Sequence, residues 1–202
     1  MSARHLADDR GQTLPLYIWL TGILLFAAFA FFAFAQAASA RNGAQSAADA
    51  AALAAAQDAR DQLMDRIQTA VGQEDDWLTW LGGRLPADDG ATAAAQRLAA
   101  ENDSALEGEA EPVTRGGYPG FQVAVQTNYT VGDSVIPGTE GMHARAHAIA
   151  VIEPRCDFDA QADPKKLVRL NCDGQTVDID PEKFKPVDLP DASVLFSVHL
   201  AE

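Results

Sequence analysis

The chain has 202 residues, a formal net charge of −14 and a pI near 4.5. That length suits one ordinary domain plus an additional element. A polyanionic partner demands concentrated Lys and Arg, so the charge argues against nucleic acid.

The first element is apolar. From Gly11 to Ala40 there is no Asp, Glu, Lys, Arg or His, and Leu14 to Ala35 is almost purely apolar. A bilayer core takes about 20 apolar residues as helix, whereas a signal-peptide core is about 7–15 residues long. The length therefore favours a transmembrane helix over 14–35 that is retained, although "AQAASA" at 35–40 has the small-residue character of a signal-peptidase site. Arg4 and Arg10 precede the span and Arg41 follows it. The excess of positive charge before the span assigns residues 1–13 to the cytoplasm and everything after about residue 40 to the outside. Tyr17 and Trp19 fit an interfacial aromatic belt.

The span runs on into an alanine-rich stretch, 36–72, with no proline between Pro15 and Pro86. Alanine is the best helix former, and Pro15 suits a first turn, where its missing N–H is harmless. One helix from about Pro15 to Val71 is expected, with a possible bend at Asn42–Gly43. Leu53, Ala56, Leu63, Ile67 and Ala70 fall near one stripe. Small side chains let helix backbones approach closely. The stripe packs either on the protein's own C-terminal region or on other subunits, and the spacing leaves both open.

Residues 73–111 hold ten acids against two bases, Arg84 and Arg97, which reads as a solvated face or connector. Within the connector, 73–119, a short helix is expected over 74–86, ending at Gly82–Gly83. A second helix is expected over 88–102, with Asp88 or Asp89 near its N-cap. The stretch "DSALEGEAEPVTRGGYPG" reads as a loop.

From Gly120 the pattern changes to period two. Strands are expected over 121–131, 142–153, 166–172, 175–180 and 193–200. The fold class is α+β: a long N-terminal transmembrane and stalk helix, a helical connector, and a small antiparallel β-rich extracytoplasmic domain over 120–202, in a pilin-like arrangement. Cys156 and Cys172 enclose fifteen residues. In an outside compartment such a pair is expected to form a disulfide.

Chemistry is poorly signalled. His143 and His147 share a strand face, and His199 is the third candidate ligand. No carboxylate or cysteine stands at a ligand spacing, however, so they are read as surface or half-buried histidines and not as a metal site. "DASVL" at 191–195 matches only half of a metal-binding motif. "NDS" at 102–104 and "NYT" at 128–130 fit the glycosylation sequon, which matters only in a glycosylating cell. No Walker loop, G-x-S-x-G or H-E-x-x-H occurs. No enzyme activity, cofactor, metal or small-molecule substrate is expected.

The stretch "DDRGQTLPLYIWLTGILLFAAFAFFAFAQAASARNGAQSAADAAALAAAQDAR" resembles the N-terminal region of Tad (Flp-type) pilus-assembly proteins of the TadE/TadG-like group, in an actinobacterial, TadG-related form. The carrying features are "DRG" at 9–11, the span, Gln36 at its exit and, above all, "QSAADAAALAAA" at 45–56. The resemblance covers about residues 8–60. It implies a single-pass membrane protein in pilus assembly, with other Tad subunits as partners and no catalysis. Some members are pseudopilins, cut after a glycine that has Glu five positions later. Gly11 is the candidate glycine here, but Leu16 stands at the fifth position and Pro15 precedes it, so Gly11 is expected to stay uncut. The alternative reading is a stalked envelope-binding module unrelated to pili.

Overall fold

The computed structural model describes residues 13–73, 77–85, 90–131, 141–159 and 161–201. Helix α1, Thr13–Ala70, runs without interruption for 58 residues, through Asn42–Gly43. At about 1.5 Å per residue it is roughly 87 Å long. It stops at Gly72, whose φ of +78° suits glycine. There Val71 N–H donates to Ile67 O (3.0 Å) and Gln73 N–H to Ala70 O (3.0 Å), satisfying two carbonyls that a helix end leaves open.

Two short helices follow. Helix α2, Trp77–Leu81, buries Trp77 and Leu81. The Trp77 indole N–H donates to Pro164 O at 2.9 Å, so a large apolar side chain is buried with its one polar atom satisfied. Helix α3, Ala91–Glu101, turns Ala91, Ala94, Ala95 and Ala99 inward. Its N-cap residue is Gly90; Asp88 and Asp89, expected near the cap, lie outside the described residues.

The stretch expected to be a loop instead supplies two strands, β1 (Ser104–Leu106) and β2 (Glu111–Arg115). Both pair antiparallel with β3, Tyr118–Thr130. Strand β4, His143–Pro154, pairs on the other side of β3, and β8, Phe196–Leu200, closes the order β1-β3-β4-β8. Alternation drives this sheet. Phe121, Val123, Val125 and Thr127 of β3 are buried, as are Ala148, Ala150 and Ile152 of β4. Period-two burial places each set on one face, and that face meets α1. Helices α1 and α3 thus cover one side of one antiparallel sheet.

A second sheet joins β5 (Cys156–Asp157), β6 (Val168–Cys172) and β7 (Gln175–Ile179) in that order. Asp173 (φ +49°) and Gly174 (φ +85°) connect β6 to β7. An Asp-Gly pair with two positive φ angles is the two-residue turn that matches strand twist. Cys156 and Cys172 pair directly across β5 and β6 and form a disulfide. A one-turn helix, α4 (Ala192–Leu195), occupies the start of the expected last strand. Asp191 caps it, accepting from Ser193 N–H at 2.9 Å.

Candidate functional site

Helix α1 divides into two surfaces. From Thr13 to Ser39 no residue is buried, and Trp19, Phe26, Phe31 and Phe34 are each more than 70 % exposed. By length and composition this part can cross a membrane. Burial begins at Ala40 and continues to Ala70.

The buried half is an alanine seam. Ala47, Ala48, Ala51, Ala52, Ala55, Ala56 and Ala59 are completely covered. Their spacing alternates between one and three residues, which keeps them on one side of a helix. With methyl groups on α1 and on Ala148 and Ala150 of β4, helix and sheet need little space between them. The seam widens at its far end, where Leu63 and Ile67 are also fully buried. Burying a side chain of that size stabilises by about 1.5–3 kcal/mol.

Of the predicted stripe, Ala56, Leu63, Ile67 and Ala70 lie in the protein's own core. Leu53 is half-buried and borders a shallow groove between α1 and α3, with Ala54, Asp58, Arg97 and Leu98. Of the main line of contact, from Ala44 to Ala59, the sequence singles out Ala56 alone among the fully buried alanines. Alanine-rich helix has almost no hydropathy contrast. The usable signal is the complementary one, since Gln45, Ser46, Gln57, Asp61, Asp65 and Arg66 mark the exposed side.

Both ends of the seam are tied to the sheet. Near the exposed half, Gly43 lies against Tyr129, whose hydroxyl occupies the space that a β carbon would need. Gln45 Nε2 reaches His147 O at 3.5 Å. At the other end, a β carbon on Gly72 would come within 2.6 Å of Pro181 O, and Gly83 packs on Pro154. Strand β4 therefore runs the same way as the buried half of α1.

The β3 strand carries an irregularity between Gln126 and Thr130. Thr127, buried, holds it. Its hydroxyl donates to Tyr129 O at 2.7 Å and accepts from Ala144 N–H at 3.1 Å. His143 adds a contact, its Nδ1 lying 2.7 Å from Thr127 O and 3.1 Å from Tyr129 O. Both partners are carbonyls, so Nδ1 carries the hydrogen. This bulge re-aims Tyr129 onto α1.

The other candidates for chemistry are spread out. His147 and His199 are exposed, and His199 Nδ1 is 3.9 Å from Glu153 Oε2. Among the described residues, no three His, Cys, Asp or Glu side chains come together. Among the described residues, ion pairs occur on α1 (Arg60–Asp61, 2.7 Å), on the main sheet (Arg145–Glu107, 3.2 Å) and around the small sheet. Arg169 is bidentate to Asp178 at 2.7 and 2.9 Å, and this pairing holds the Asp178 carboxyl below its ordinary range. Arg155 joins Asp173 (2.7 Å through Nε) to Ser193 O (2.8 Å). The Ser193 hydroxyl and then its backbone N–H lower Asp191. The backbone N–H of Lys165 is the main cause lowering Asp163. Hydrogen bonding to Glu153 raises the Tyr118 phenol.

Gly11, the candidate processing position, lies outside the described residues. Residues 11–58 match the family model described as "Putative Flp pilus-assembly TadE/G-like". No curated protein and no solved structure matches the chain. The match begins beside the exposed apolar half of α1 and ends within the alanine seam, so what the chain shares with pilus-assembly TadE/G-like proteins is its membrane-type helix and the first four turns of the seam that carries its sheet.

Proposed function

We propose that this protein is a single-pass structural or assembly component of a Tad-type (Flp) pilus, TadG-like and related to the actinobacterial form, or a minor pseudopilin-like subunit. The N-terminus is cytoplasmic and uncut at Gly11, residues 14–35 cross the cell membrane, and the sheet domain stands outside. The protein works by helix packing, and it has no catalytic role and no small-molecule substrate. One observation carries this reading. The family match falls on α1, and within it the apolar half from Thr13 to Ser39 is left uncovered by the protein's own fold. An exposed apolar surface of that size marks a membrane or a partner. The alanine seam is already filled by the protein's own sheet. Contacts with other Tad subunits therefore fall to the exposed half of α1. Deletion of the gene tests the reading. Loss or sharp reduction of surface pili, restored by the full chain, is expected; normal pilus numbers contradict it.

A further inference from the structure

We propose that the membrane-proximal end of the main sheet, at Tyr129, Val131 and Met142, rests on the lipid headgroup layer and so fixes the domain's tilt. The proposal rests on the reading of residues 14–35 as a membrane span. Outside that exposed half of α1, large exposed apolar side chains are few among the described residues: Tyr129, Met142, Leu167, Val187 and Leu200. Two of the five sit together at this one end. Tyr129 is 40 % exposed and Met142 55 %. Val131 N–H donates to Met142 O at 2.8 Å, which places Val131 and Met142 side by side.

Distances along the chain say what lies beneath them. The apolar run Leu14–Ala35 is 22 residues, roughly 33 Å as helix, which matches a hydrocarbon core of about 30 Å. Ala35 therefore marks its edge. Headgroups extend about 5–7 Å further on each side. Gly43 stands eight residues, about 12 Å, above Ala35, and Tyr129 contacts Gly43. Because β4 runs with α1, the β3–β4 pair continues from there towards the membrane. Val131 is two residues beyond Tyr129, up to about 7 Å closer at about 3.3 Å per residue. That brings Val131 and Met142 to the headgroup boundary. A tyrosine beside aliphatic side chains suits this layer, where one end of the ring is apolar and the other wet.

The contact is apolar and not electrostatic. Arg41 and Arg145 are exposed at this end, but Arg145 pairs with Glu107 at 3.2 Å, and Glu101 and Asp103 are exposed nearby. The Asp103 carbonyl accepts from Asn128 N–H at 2.8 Å, which fixes its place there. Uncharged lipid is thus sufficient.

The test uses the full chain in phosphatidylcholine vesicles. Cys156 and Cys172 are joined, so one added thiol takes one nitroxide. Labels at Phe26→Cys, Met142→Cys and Leu167→Cys report collision with oxygen, which concentrates in lipid, against a water-soluble nickel chelate. The expected order of the oxygen-to-nickel ratio is Phe26 highest, Met142 intermediate and Leu167 lowest. A Met142 ratio equal to that at Leu167, with Phe26 still high, overturns the headgroup contact and spares the membrane span. A Phe26 ratio as low as that at Leu167 overturns the span and the contact with it.

Discussion

Gly120, near the start of β3, is where a single added atom meets backbone on the neighbouring strand. A β carbon there would collide with the Ala150 carbonyl oxygen and come within 2.8 Å of Val151 Cα and 2.9 Å of Ala150 C. These are backbone atoms of β4, and β4 is held between β3 and β8. Neither strand can give way without disturbing the pairs on both sides. Overpacking of this kind costs about 1–3 kcal/mol, more where backbone must move. One effect opposes it: Gly→Ala reduces unfolded-chain entropy, a gain of about 0.4–1 kcal/mol where the site accepts the methyl group. Because β4 backbone must move, the gross cost lies at about 3 kcal/mol, and Gly120→Ala is expected to lose a net of about 2–2.6 kcal/mol. For a protein of this size each kcal/mol shifts Tm by about 2–4 °C, so the expected fall is roughly 4–10 °C. Thermal melts of wild type and variant in the same detergent, followed by circular dichroism, read it. An unchanged or higher Tm would refute the close approach of β3 to β4.

Leu63→Ala, at a fully buried position on α1, should cost about 2–5 kcal/mol, while Leu53→Ala, at the half-exposed groove, should cost less than half as much. Equal losses in denaturant titrations would contradict the division of the seam. Reduction of the Cys156–Cys172 disulfide opens a loop with a sequence separation of 16 and should lower stability by about 3 kcal/mol, seen as a lower Tm with reductant. Asp163, Asp178 and Asp191 all have lowered folded-state pKa values. Their stabilisation is complete above the ordinary carboxylate range and is lost as pH falls through the lowered values. Melts from pH 7 to pH 3 should show the loss, and Asp178→Asn should flatten it; a Tm that rises on acidification contradicts the assignment.

The large elements were legible because their signals are strong. A 22-residue apolar run has one structural solution in lipid, and Pro15 followed by alanine-rich sequence marks a long helix. The alternation of Phe121, Val123 and Val125 announced β3. The Asp173–Gly174 turn lay between two strands already expected. Strands β1 and β2 were missed for a physical reason. They are short, polar and at the sheet edge, with Glu107–Gly108–Glu109 and Pro112 among them. Their extended form comes from pairing with β3, and strand preference depends heavily on such context. The seam of α1 was only partly visible. Leu63 and Ile67 stood out, but the fully buried alanines carry the same side chain as the half-buried Ala50 beside them. The contact of Tyr129 with Gly43 joins residues 86 positions apart through a bulge, and nothing local announces it.

On the proposed function, the exposed half of α1 is where this protein meets membrane and pilus apparatus. A photocrosslinking amino acid at Phe31, exposed to 76 %, tests it in living cells. Adducts that contain lipid and other Tad pilus subunits are expected. Adducts containing neither, or recovery of the protein from the soluble fraction, would contradict it.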